Sequence, residues 1–140
     1  MLYILPDTGF WYGLCVKRDQ HREDAESLRE LIERNHIVVP WPIVHETLCT
    51  QFVKNTAAIE TFNKYIRRGN LTFLNDTEYV EDAYQLSVTS SLEKCRWLSM
   101  VDSVIRLILA DEHVRIHALI TFNRRDFEDV CRRRKIDILP

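Results

Sequence analysis

The chain has 140 residues, enough for one well-cored domain and too few for two, and its 46% hydrophobic content with three glycines and four prolines is that of an ordinary globular protein. A formal net charge of −2 excludes a general polyanion binder, which needs clustered positive charge to release counterions. No apolar run approaches the length of a membrane span, and the amino terminus lacks the basic and long apolar segments of a signal peptide, so the expected location is the cytoplasm.

Leu2 to Leu5 is an unbroken apolar run, as in a parallel strand covered on both faces. Pro6 stops it, and Asp7 or Thr8 then caps a short helix that carries Gly9, Phe10, Trp11 and Tyr12. Asp7 therefore lies just beyond the carboxyl end of a buried strand, where ligands bind in open α/β sheets. After a polar loop, a helix is predicted from about Arg22 to Asn35 with Ala25, Leu28, Leu31 and Ile32 on one face. Ile37 to Val39 form a second strand. Pro42 is predicted to begin the next helix, with Ile43, either Thr47 or Leu48, and Phe52 facing inward and Glu46 in or near the first turn. His45, Glu46 and Cys49 imitate the start of an H-E-x-x-H zinc helix, but the second His is replaced and no third ligand is evident.

A helix over 57–68 buries Ile59, Phe62 and Ile66 and ends at Gly69. Leu71 to Leu74 form a third strand. A long helix from about Glu78 to Cys95 is expected to turn Val80, Ala83, Tyr84, either Leu86 or Ser87, and either Ser90 or Ser91 to the core. The stripe Val101, Val104, Ile105, Ile108 and Leu109 marks the buried face of another helix, for which Ser99 is a natural cap and Asp102 the third residue. Ile116 to Ile120 is β-type, Asn123 is placed to cap a brief helix with Asp126 three residues on, and Ile136 to Leu139 is a last strand. Strands alternating with helices predict an α/β fold, a central mostly parallel sheet with helices on both sides, as one domain over 1–140. Cys15, Cys49, Cys95 and Cys131 form no C-x-x-C pair and read as small, mostly buried apolar residues.

An acid in a first helical turn favours the helix dipole by roughly 0.3–1 kcal/mol, and most such residues do nothing else. Here, however, Asp7, Glu46 and Asp126 each follow a strand and precede a helix, so a common sheet brings them to one edge; Asp102 joins them if its helix crosses that edge. Carboxylates about 5 Å apart repel by roughly 3 kcal/mol at an effective dielectric near 20, so a cation must sit among them. Hard oxygen ligands in an incomplete cage suit Mg²⁺ or Mn²⁺, which lowers the pKa of a bound water and polarises a phosphodiester. Three basic clusters, Arg67 with Arg68, Arg124 with Arg125, and Arg132 to Lys135, read equally as solvated surface or as local contacts to a phosphate backbone.

Five motifs then occur in order: D-T-G-F-W-Y at Asp7 to Tyr12, R-D-Q-H at Arg18 to His21, P-x-x-x-E at Pro42 to Glu46, L-S-M-V-D at Leu98 to Asp102, and T-F-N-R-R-D-F at Thr121 to Phe127. Together they resemble the PIN-domain nucleases, especially VapC-like toxins, over nearly the whole chain. The resemblance implies a three-layer α/β/α sandwich and a metal-dependent endoribonuclease acting on single-stranded or structured RNA, often with a paired antitoxin and as a homodimer. Carried over position by position, it makes Asp7, Glu46 and Asp102 the core metal ligands, supported through hydrogen bonds by Thr8 and Ser99. Many relatives carry Asp where this chain has Asn123 and others where it has Asp126; the fourth acid is assigned to Asp126, with Asn123 as a neutral neighbour or weak ligand. Arg124 and Arg125 are assigned to the substrate backbone, and His21, which matches a loop position in some relatives, reads as a surface residue. Two other readings stay open: a PIN-fold RNA- or protein-binding module without turnover, favoured by Asn123, and a DNA-directed nuclease of the same fold. Trp11, Trp41 and Trp97 offer apolar surface for a dimer, though at least two of them are expected in the core.

Overall fold

The computed structural model describes residues 1–140. Five strands form the middle layer, β1 (Tyr3–Pro6), β2 (His36–Pro40), β3 (Leu71–Leu74), β4 (Ala118–Ile120) and β5 (Asp137–Leu139). They are all parallel and lie in the order β3-β2-β1-β4-β5. Ile4 of β1 pairs with Ile37 on one side and Ala118 on the other. Covered on both faces, β1 and β4 are apolar, while the edge strands β3 and β5 stay partly exposed. The connecting helices are α1 (Thr8–Cys15), α2 (Arg22–Ser27), α3 (Arg29–Arg34), α4 (Trp41–Thr47), α5 (Thr50–Val53), α6 (Thr56–Ile66), α7 (Val80–Leu92), α8 (Met100–Ala110) and α9 (Glu128–Arg134). A 3₁₀ turn spans Arg124–Asp126. No helix is long and apolar enough to cross a membrane.

The chain runs outward from β1 through β2 to β3, then returns to the other side of β1 for β4 and β5. This reversal leaves a crevice beyond the carboxyl ends of β1 and β4, the place where doubly wound sheets bind ligands. Asp7 follows β1 directly and Thr121 follows β4 directly, so both enter the crevice.

Five local expectations are corrected. The helix predicted over 22–35 breaks at Leu28, because the Ser27 hydroxyl donates to Asp24 O at 2.6 Å and the Leu28 amide turns to Ala25 O instead. Helix α4 starts at Trp41, immediately after the extended Pro40, and ends at Thr47, so Glu46 stands in its last turn rather than near its first. Asn123 makes no side-chain cap, and Asp126 ends a 3₁₀ turn instead of opening a helix. Helix α7 turns inward Ala83, fully buried, and Ser87, whose hydroxyl donates to Leu98 O at 2.7 Å. Val80 and Tyr84, expected in the core, are exposed together with Val88 and Leu92. Of the three tryptophans only Trp11 is core; Trp41 is partly exposed and Trp97 is 81% exposed. Cys15 and Cys131 are buried, Cys49 half-buried and Cys95 exposed, all as free thiols.

Candidate active site

Asp7 is carried to the crevice by β1, whose ladder continues through the Asp7 amide donating to Ile120 O at 2.8 Å. Its side chain, 8% exposed, caps α1: Oδ1 accepts the Thr8 amide at 2.8 Å and Oδ2 accepts the Thr121 hydroxyl at 3.0 Å. Thr8 also donates its hydroxyl to Glu46 Oε2, so one residue bridges the acids of α1 and α4. Asp102 sits at the third position of α8, where its amide donates to Ser99 Oγ at 3.0 Å. The next residues along these helices, Thr47 and Ser103, are fully buried, and Glu46 and Asp102 look outward onto the crevice.

Asp7, Glu46, Asp102 and Asn123 line one open cleft of about 390 Å³. Asp126 borders an adjoining cleft that shares Asn123, whose amide Nδ2 donates to Asp126 Oδ2 at 2.5 Å. The backbone carbonyl of Asp126 is fixed by Arg106 Nη1 at 2.6 Å. Arg124 donates through Nη2 to the carbonyls of Ile138 (3.0 Å) and Pro140 (3.2 Å) and so ties down the end of β5. Arg125 is exposed and makes no ion pair or hydrogen bond with the protein.

The electrostatics follow from that crowding. Burial raises the Asp7 carboxyl above its ordinary range; the bonds from Thr8 and Thr121 work against the shift, and the charges of Glu46 and Asp126 add to it. Asp102 is pushed up to about 7, first by burial, then by Asp7, Asp126 and Glu46, with Ser99 opposing. No lysine or arginine lines the cleft, so the protein supplies no counter-charge there. As placed, no three Asp, Glu, His or Cys side chains close on a single point by themselves. The donor set still fits Mg²⁺ or Mn²⁺, which keep several waters and are commonly held by one or two carboxylates directly.

Several residues at the site escaped assignment from sequence, among them Asp19, a further acid lining the cleft, and Thr121 and His21. Thr121 orients Asp7, and its signal is a hydroxyl residue at the carboxyl end of the strand next to β1. His21, expected on the surface, lines the cleft with its ring stacked on Phe122, centroids 4.0 Å apart and planes at 10°. Gly13 permits this: a Cβ there would lie 3.0 Å from His21 O and 2.8 Å from the Ala25 Cβ, so only glycine lets α1 approach the loop that carries His21.

No protein-family model and no curated protein matches the sequence. Solved structures do match in fold. VapC20 of Mycobacterium tuberculosis, described as a sarcin-ricin loop cleaving toxin, superposes with a TM-score of 0.69 at 18% identity, over 90% of this chain and 94% of that one. VapBC2 of Rickettsia felis, solved bound to a DNA fragment from its promoter, gives a TM-score of 0.60 at 16% identity, over 98% of this chain and 97% of that one. With five parallel strands in the order β3-β2-β1-β4-β5 and flanking helices, the chain has the PIN-type α/β fold of the VapC toxins.

Proposed function

We propose that this chain is a metal-dependent endoribonuclease of the cytoplasm, the toxin of a toxin–antitoxin pair, with Mg²⁺ or Mn²⁺ held by Asp7, Glu46 and Asp102 and with Asp126 at the margin. One observation carries the reading: Asp7, Glu46 and Asp102, from three separate elements, line one cleft that holds no lysine or arginine, and this crowding with burial pushes Asp102 up to about 7. Such a site binds a cation because the cation relieves both costs. When bound, the ion lowers the pKa of water and polarises a phosphodiester.

The chain's own residues do the positioning. Thr8 and Thr121 fix the two oxygens of Asp7, the Thr8 hydroxyl fixes Glu46, and Ser99 caps the helix that presents Asp102. Arg125, unpaired at the cleft margin, takes a substrate phosphate, and Arg124 holds the neighbouring backbone in place. In hydrolysis the water oxygen bonds to phosphorus, its proton passes to a cleft carboxylate, the P–O3′ bond breaks, and the departing O3′ takes a proton from solvent water, leaving a 5′-phosphate and a 3′-hydroxyl. VapC20 cleaves the sarcin-ricin loop, so a structured RNA loop belongs beside single-stranded RNA among first substrates. The exposed apolar residues of α7, Val80, Tyr84, Val88 and Leu92, support a homodimer or an antitoxin contact.

The test is cleavage of RNA and DNA oligomers with Mn²⁺, with chelator, and by Asp7→Asn. Metal-dependent RNA cleavage that is lost in the variant, with an unchanged melting curve, supports the reading; full activity in excess chelator overturns it. A second reading, a binding module without turnover, is favoured by Asn123, which brings no charge and donates to Asp126. Saturable stabilisation by Mn²⁺ separates the two, since the binding module needs none.

A further inference from the structure

We propose that the cleft formed by Lys94, Trp97 and Arg125 is the seat of an unpaired nucleobase and its phosphate, continuing the path of a single-stranded RNA away from the acidic site. This rests on the nuclease reading and adds a specific strand path to it. The cleft, about 230 Å³, is lined by Lys94, Cys95, Arg96, Trp97, Arg125 and the shared pair Asn123 and Asp126. It therefore adjoins the carboxylate site directly.

Trp97 is 81% exposed, the most exposed large aromatic of the chain, and its exposure is built in. Arg96 on one side is anchored through Nη1 to Asp129 Oδ1 (3.3 Å) and Asp126 O (3.4 Å). Leu98 on the other side is buried, with its carbonyl accepting the Ser87 hydroxyl. Before them, Lys94 adopts a left-handed backbone (φ 55°), and the amides of Lys94 and Cys95 donate to Ser91 O and Ser90 O. The backbone on both sides of Trp97 is thus fixed, and the indole is held in water, forgoing the burial that a large aromatic ordinarily gains. Lys94 and Arg125 have no acidic partner in the protein.

An exposed ring beside two unpaired cations is the combination that binds single strands: every base offers a face to stack on, and each phosphate meets a positive charge. A protein partner would cover the ring but would not call for free cations beside it. The RNA strand also explains why this cleft and the carboxylate cleft share Asn123.

The experiment measures binding of a labelled 12-nucleotide oligouridylate in EDTA, so that no cleavage occurs, alongside cleavage with Mn²⁺. Trp97→Ala is expected to weaken binding tenfold to a hundredfold, with Trp97→Phe recovering most of the loss. Arg125→Gln is expected to lower the salt slope by about 0.7, the value for one phosphate contact on a single strand. Trp41→Phe should leave RNA quenching of tryptophan fluorescence intact, and Trp97→Phe should remove it. Unchanged affinity in Trp97→Ala, or no RNA binding by the wild type, overturns the proposal. So does a Trp97→Ala variant that changes the sedimenting mass but not RNA binding, which makes the ring a protein contact. A wild type that binds RNA through Trp97 yet never cleaves it sinks the nuclease reading alone; a wild type that cleaves, with kcat/KM unchanged in Trp97→Ala, sinks this proposal alone.

Discussion

Asp102 and Asp129 are carboxylates on adjacent helices of the same side of the molecule, and their surroundings push them in opposite directions. Asp129 receives two bonds from Arg106, at 2.7 and 2.8 Å, and a third from Arg96, and these hold its carboxyl far below the usual range. Asp102 makes no ion pair, and burial with three other acids lifts it to about 7. Asp129 is matched within the chain, whereas no lysine or arginine lining the cleft matches the acids there. The matched cluster also serves the unmatched one, because Arg106 holds the carbonyl of Asp126.

The largest expected effect comes from exchanging the two acids for their amides. Asp102→Asn should remove RNA cleavage and Mn²⁺ stabilisation together while leaving the metal-free protein at least as stable as the wild type. Asp129→Asn should keep Mn²⁺ binding and cost about 1–2 kcal/mol by chemical denaturation, since its pair with Arg106 is only partly shielded from solvent. If Asp129→Asn abolished Mn²⁺ binding and Asp102→Asn did not, the division between the two regions would be wrong.

A second effect is on pH. Folded Asp102 titrates near 7 against an ordinary 3.8, so between these values the folded state binds more protons than the unfolded one, and stability falls as pH rises. The metal-free protein should melt a few degrees higher at pH 5 than at pH 8, the slope should flatten in Asp102→Asn, and saturating Mn²⁺ should oppose it. Asp129 does not blur this, because its lowered value contributes only where pH falls well into the acid range.

Much of this site can be read from the sequence. Asp7 after an apolar strand and Ser99 three residues before Asp102 are local signals, set by a strand end and a helix cap, and the structure keeps both. Glu46 was readable as a residue but not as a position, because a helix that starts at Trp41 and stops at Thr47 puts it in the last turn, from where its longer side chain reaches back to Thr8. Helix α7 shows the limit of periodicity: Val80, Tyr84 and Val88 recur as a buried face would, but which face is covered depends on α8, and the small Ala83 and Ser87 take that side. His21 and Thr121 depend on partners about a hundred residues away, Phe122 and Asp7, which no local pattern encodes.

The smallest effect tests the support around Asp7. Thr121→Val keeps shape and removes a donor to a buried carboxylate and the acceptor of the Asn123 amide, so it should cost about 1–2 kcal/mol of stability at neutral pH and weaken Mn²⁺ binding only several-fold. A change as severe as that of Asp7→Asn would mean that Thr121 itself is a ligand.

Anomalous scattering from crystals grown with manganese is the most direct measurement. A peak between Asp7, Glu46 and Asp102, at the carboxyl ends of β1 and β4, is the expected result. Ordered carboxylates facing separate bodies of solvent with no peak among them would contradict it.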